Sequence, residues 1–132
     1  MVVVDTNILA YLLIEGDRTR DVQALFARDA DWKSEAFVLI EFSNILATYL
    51  RADSLTRNQA HALLVEPEKR LTGLVSPHAR ALRVAEQFGV SAYDARFLGA
   101  AQSFKTRLVT EDARLRKAAP ALTISLSDAL AA

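Results

Sequence analysis

Directly after Met1 the chain reads Val2-Val3-Val4-Asp5-Thr6-Asn7-Ile8-Leu9, a run of β-branched residues followed at once by a polar triplet. Because no basic region precedes the valines, the run predicts a strand over residues 2–4 rather than a signal peptide. A short helix over residues 6–13 is predicted to follow. A strand that passes directly into a helix is typical of βαβ units.

The rest of the chain repeats this alternation of short apolar runs and longer helical patterns. The patterns predict further strands at residues 32–34, 71–75, 107–110 and 122–125. They predict helices at residues 18–28, 36–50, 77–88, 93–104 and 111–118 and a helical turn at 127–131. Gly89 is predicted to end the helix at 77–88. A further helix opens with the capping box Thr56-Arg57-Asn58-Gln59 and is predicted to end before Pro67. We therefore expect an α/β fold with a parallel sheet and, from right-handed crossovers, helices on both faces.

Composition limits the possible functions. The 132 residues suit one domain, residues 1–132, and 52% are hydrophobic, which is enough to build a core without disulfides. The absence of cysteine excludes thiolate metal sites and cysteine nucleophiles and suits the reducing cytoplasm, where we expect the protein. No apolar stretch reaches the length of about 18 residues needed to span a membrane.

The charges cancel, with 16 Lys and Arg against 16 Asp and Glu. A neutral chain has no overall basic field to attract nucleic acid. Any nucleic-acid partner must therefore be held by local basic residues or through metal ions.

Three carboxylates fall where strands pass into helices or just inside the start of a helix. Asp5 ends the first strand, Asp112 follows the predicted strand at residues 107–110 by two residues, and Asp94 lies at the start of a helix. In an open parallel sheet, ligands bind at the carboxyl ends of the strands. We expect Asp5 and Asp112 to lie together at that edge.

A fourth carboxylate, Glu41, lies within the apolar run of residues 37–46. A charge in such a run costs free energy unless it is paired or ligated. Asn44 and Thr48 share its helical face, so the three form a polar stripe that suits the wall of a cleft.

Four carboxylates in one cleft repel each other, and a divalent cation relieves that repulsion. Oxygen ligands favour Mg²⁺ or Mn²⁺, and such ions can drive phosphodiester hydrolysis without a catalytic histidine. Simpler structural roles remain open: Asp5 as a helix cap, Asp94 and Asp112 as partners of a helix dipole, and Glu41 as a partly exposed structural carboxylate.

At these residues the sequence resembles the PIN-domain ribonucleases, and specifically the VapC toxins of type II toxin–antitoxin pairs. The resemblance covers nearly the whole chain and rests on four motifs in order: Val3-Val4-Asp5-Thr6-Asn7, Val38-Leu39-Ile40-Glu41-Phe42, Ser91-Ala92-Tyr93-Asp94-Ala95, and Leu108-Val109-Thr110-Glu111-Asp112-Ala113-Arg114-Leu115.

The resemblance implies a five-stranded parallel sheet and RNA cleavage that depends on Mg²⁺ or Mn²⁺. It implies that Asp5 and Asp94 ligate the metal directly and that Glu41 and Asp112 ligate it directly or through water. Thr6, Asn7 and Thr110 match polar positions that orient these ligands, whereas Asn44 and Arg96 are not carried over. The resemblance also implies a homodimer and a cognate VapB-like antitoxin, for which the helical hairpin of residues 36–65 is a possible docking surface.

Two other functions are considered. An aspartyl-phosphate phosphotransfer domain also places a carboxylate after its first strand, but Asp5-Thr6-Asn7 fits its patterns poorly. A non-catalytic RNA- or protein-binding member of the same fold is the second alternative, although none of the four acidic positions is missing.

Overall fold

A computed structural model describes residues 1–71 and 73–132. Its centre is one sheet of five parallel strands in the order β3-β2-β1-β4-β5. The strands are β1 (Val2–Val4), β2 (Trp32–Glu35), β3 (Gly73–Leu74), β4 (Leu108–Val109) and β5 (Thr123–Ile124). The predicted third strand, residues 71–75, includes Thr72, which lies outside the described residues.

Eight helices connect and follow the strands in the described part of the chain. They are α1 (Thr6–Leu13), α2 (Thr19–Arg28), α3 (Phe37–Arg51), α4 (Arg57–Arg70), α5 (His78–Phe88), α6 (Ala92–Ser103), α7 (Ala113–Ala118) and α8 (Leu126–Ala131). The capping box at Thr56 is present, and Gly89 ends α5 in the left-handed conformation, as predicted. None of the helices within residues 1–71 and 73–132 has the length and apolar character needed to cross a membrane.

Successive residues of a strand point to opposite faces of the sheet. Because β1 and β4 carry apolar side chains on both faces, helices pack on both. Val3 and Leu108 pack into one core with Phe42 of α3 and Leu98 of α6. On the other face, the core formed by Val4 and Val109 includes side chains of α2 and α8, namely Val22, Leu25 and Leu126. The predicted α/β fold with helices on both faces is confirmed.

One predicted boundary is wrong. The fourth helix does not end before Pro67 but continues through it to Arg70. Proline costs a helix one hydrogen bond, which usually ends it. Here the Pro67 ring is buried, and its carbonyl accepts a bond from the Leu71 N–H, so packing and the last turn offset that loss.

Strand order determines where a site can form. The chain builds β1, β2 and β3 outward on one side, then returns to place β4 against the other side of β1. In parallel α/β sheets, ligands bind at the carboxyl ends of strands where the order reverses. That position lies between β1 and β4, where Val4 is in register with Val109 and the Asp5 N–H donates to the Val109 carbonyl.

Candidate metal and active site

A cavity of about 580 Å³ opens beside the carboxyl end of β1. Six of the seven predicted site residues line it: Asp5, Thr6, Asn7, Glu41, Asp94 and Asp112. The seventh, Thr110, is fully buried and contacts two of these acids from behind. Among the described residues around the cavity, none is basic.

Asp5 follows β1 and caps α1. Its Oδ1 accepts a hydrogen bond from the Ile8 N–H at 3.0 Å, and its Oδ2 accepts one from the Thr110 hydroxyl. Burial raises the pKa of Asp5 to about 6, and the charges of Asp112 and Asp94 add to the rise. The two hydrogen bonds favour the ionised form and lower the pKa, but they do not outweigh burial.

Asp112 caps α7 at the same edge of the sheet as Asp5. Its Oδ1 accepts bonds from the N–H groups of Arg114 and Leu115, both at 3.0 Å. Its own N–H donates to the Thr110 hydroxyl oxygen at 3.1 Å. Thr110 therefore links Asp5 and Asp112 through one hydroxyl.

Glu41 approaches from α3. Its Oε1 accepts a 2.7 Å bond from the Thr6 hydroxyl, which ties α3 to the first turn of α1. The predicted polar stripe faces the cavity only in part. Asn44 lines the cavity, whereas the exposed Thr48 donates back to the Asn44 carbonyl.

Asp94 lies in the first turn of α6, which Ser91 caps. Burial raises the pKa of Asp94, and the negative charge of Asp112 raises it further. The structural roles considered from the sequence are thus present: Asp5 and Asp112 are helix caps, and Asp94 is a first-turn acid. Both oxygens of Asp5 accept a hydrogen bond, whereas Asp112 keeps one oxygen without a bond.

The donor chemistry suits a hard divalent cation. Glu41 Oε2 and Asp112 Oδ2 accept no bond from any described residue, and the Asp94 carboxylate has only the Ser91 hydroxyl as a hydrogen-bond partner. All are carboxylate oxygens, the ligands that Mg²⁺ and Mn²⁺ favour. However, in residues 1–71 and 73–132 no three His, Cys, Asp or Glu side chains lie close enough together to hold one ion as they stand.

The sequence interpretation missed a buried polar cluster behind the cavity wall. Glu35, which is only 1% exposed, accepts bonds from the N–H groups of Phe37 and Ser76 and pairs with Arg96 at 3.6 Å. Arg96 also donates to the Ser76 carbonyl and contacts His78. The side chain of Arg96 is therefore directed away from the cavity. The only sequence signal for this cluster was a glutamate at a strand end.

A second missed feature is an aromatic pair. The rings of Phe37 and Tyr93 stack at 5.3 Å between centroids and 11° between planes, and both residues line the cavity. Phe37 precedes Glu41 by four residues, which places them on one helical face. That spacing could have placed Phe37 beside Glu41, but it gave no signal for the contact with Tyr93.

Comparison with known proteins identifies the class. A model of the PIN domain family matches residues 2–120. The chain belongs to the PIN domain family, whose members are generally nucleases and typically use divalent metal ions.

The fold is similar to that in the crystal structure of PAE2754 from Pyrobaculum aerophilum, with a TM-score of 0.77 and 22% sequence identity. That similarity covers 98% of this chain and 86% of that chain. At this identity the likeness shows the fold alone. No curated protein matches the chain.

Proposed function

We propose that this protein is an Mg²⁺- or Mn²⁺-dependent endoribonuclease that hydrolyses RNA phosphodiester bonds. The supporting observation is that four separate segments, the end of β1, α3, α6 and the start of α7, each contribute a carboxylate to one cavity. Carboxylates without basic partners destabilise one another, and a bound cation reverses that effect. The choice of RNA as the substrate rests on the family.

In this proposal Asp5 and Asp94 ligate the metal directly, and Glu41 and Asp112 ligate it directly or through water. The Thr6 hydroxyl orients Glu41, and the Thr110 hydroxyl orients Asp5. Asn7 lines the same cavity. When bound, the metal supplies Lewis acidity for attack of water on the phosphodiester. Since no three of the described carboxylates lie close enough together to hold one ion as they stand, we expect cation binding to draw them closer together or to place water between some of them and the ion.

The decisive experiment compares two Asp→Asn variants in an RNA cleavage assay with Mn²⁺. Asp94→Asn removes a proposed ligand from the first turn of α6. Asp21→Asn is a matched control, because Asp21 lies in the first turn of α2, is exposed and does not line the cavity. We expect Asp94→Asn to lose more than the roughly 10- to 100-fold typical of residues that only orient ligands, and Asp21→Asn to match the parent.

Equal cleavage by Asp94→Asn and the parent would reject the nuclease assignment. So would parent activity that persists unchanged in EDTA. RNA binding by the parent without any cleavage in Mn²⁺ would favour the non-catalytic alternative.

We extend the proposal to the biological role of a VapC-type toxin with a VapB-like antitoxin and a homodimeric state. The four motifs described from the sequence support this extension. Expression of the chain should slow cell growth, and co-expression of a small protein encoded directly beside it should restore growth. Unimpaired growth of cells that express cleavage-competent protein would contradict the toxin role. A monomer in analytical ultracentrifugation would contradict the homodimer.

A further inference from the structure

The stacked pair of Phe37 and Tyr93 leaves a large aromatic surface open at the cavity. Phe37 is partly buried and packs against the core, so it supports Tyr93 from one side. Tyr93 itself is 62% exposed. With one ring face on Phe37 and most of the side chain in solvent, Tyr93 can accept a further planar group on its other face.

The pair is placed next to two of the proposed metal ligands. Phe37 lies one helical turn before Glu41 on α3, and Tyr93 directly precedes Asp94 on α6. All four residues line the same cavity. A planar group stacked on Tyr93 is therefore close to whatever the carboxylates hold.

We propose that Tyr93, supported by Phe37, binds an unpaired base of single-stranded RNA beside the phosphate to be cleaved. The choice of ligand rests on the proposed function, because the carboxylates and their metal would hold the phosphate. Bases in an RNA duplex are already stacked, whereas single-stranded bases stack readily on aromatic side chains. The site therefore selects unpaired RNA.

The cavity continues away from the stacked pair. A second cavity of about 390 Å³ shares Asn7 and Ile45 with the first and is lined also by Tyr11 and Tyr49. The Arg18 guanidinium lies 5.8 Å from the centroid of the Tyr11 ring. The second cavity therefore adjoins the first on the side of Asn7 and Ile45.

The test measures binding rather than cleavage. A fluorescent RNA oligonucleotide is titrated with Tyr93→Ala, Tyr93→Phe and the parent, each carrying Asp5→Asn to suppress hydrolysis. We expect Tyr93→Ala to raise the Kd for single-stranded RNA roughly 5- to 150-fold and Tyr93→Phe to stay close to the parent. Leu82→Ala is the matched control, because Leu82 is exposed on α5 and does not line the cavity.

An abasic RNA series tests the same contact without changing the protein. One abasic nucleotide is moved along the oligonucleotide, and the position that weakens parent binding most should have no effect on Tyr93→Ala. Such coupling shows that the base and the ring contact each other. Independent, additive losses would overturn the stacking proposal even if Tyr93→Ala altered folding.

The outcomes separate this proposal from the nuclease assignment. Equal affinity of the parent and Tyr93→Ala, with cleavage by the unmodified protein, overturns the stacking site alone. Binding that depends on Tyr93 without any cleavage supports the stacking site and rejects hydrolysis. A change in oligomeric state in Tyr93→Ala, with unchanged RNA affinity, would show that this surface contacts protein and would also overturn the proposal.

Discussion

Asp5 shows how a single residue serves the fold and the site in opposite ways. Its carboxylate caps α1 and bonds to Thr110, which stabilises the fold. Its burial among other acids, however, raises the pKa to about 6. Since the ionised form is disfavoured in the folded state, the proposed metal site should cost the protein stability when no metal is present.

This cost has a definite pH dependence. The folded protein binds the Asp5 proton more tightly than the unfolded chain, whose pKa is near 3.8. The contribution of Asp5 to the free energy of unfolding therefore falls as the pH rises from about 4 to about 6 and then levels off, by an amount on the order of 3 kcal/mol.

Urea unfolding of the parent and Asp5→Asn in EDTA measures this effect. The difference in free energy of unfolding, variant minus parent, should increase across that pH interval and stay constant above it. Asp21→Asn should show no such increase. A difference for Asp5→Asn that is independent of pH would contradict the raised pKa.

Thr110 connects the two acids that cap α1 and α7. Its hydroxyl donates to Asp5 and accepts from the Asp112 N–H. Thr110→Val keeps the shape but removes both bonds, so it should lower the free energy of unfolding by about 1–3 kcal/mol. Thr110→Ser keeps the hydroxyl and should cost about 1 kcal/mol or less. Equal losses in the two variants, measured by urea unfolding, would show that the hydroxyl contributes nothing.

The buried Glu35–Arg96 pair connects β2 and the start of α3 to α6. These are the segments that carry Glu41 and Asp94. Removing one partner leaves the other charge buried without compensation. The pair therefore joins β2 and the start of α3 to α6 through buried polar contacts.

A double-mutant cycle tests that connection. Arg96→Met leaves the Glu35 charge buried and should lower the free energy of unfolding by about 3–5 kcal/mol, and the double variant with Glu35→Gln should lose less than the sum of the single losses. The exposed Glu66–Arg70 pair is the control, because Arg70→Met should change stability by about 0.5 kcal/mol or less. Strict additivity at Glu35 and Arg96 would contradict a coupled pair.

The elements also show what the sequence could predict. Helix α1 has the predicted bounds of residues 6–13, because Asp5 caps a continuous apolar pattern. The end of α4 was missed at Pro67, because burial of the proline ring depends on packing between distant segments. Local signals predict where an element begins, whereas tertiary contacts decide whether an unfavourable residue ends it.

The same distinction holds for the whole molecule. The four acidic motifs predicted that their carboxylates lie in one cleft, and all four line one cavity. A parallel sheet brings its strand ends to one edge, which explains the positions of Asp5 and Asp112 but not those of Glu41 and Asp94, which lie on helices. The distances between the carboxylates were not predictable, since they depend on how those helices pack. The stacking of Phe37 on Tyr93 joins residues 56 positions apart in the sequence, and no local pattern carries that information.

The proposed nuclease activity requires the four carboxylates to bind a divalent cation together. Titration of the metal-free protein with Mn²⁺, followed by electron paramagnetic resonance of the free ion, tests this most directly. We predict saturable Mn²⁺ binding by the parent and by Asp21→Asn, and binding weakened more than 10-fold in Asp94→Asn and Asp5→Asn. Equal Mn²⁺ affinity in all four proteins, or no binding by the parent, would contradict the account.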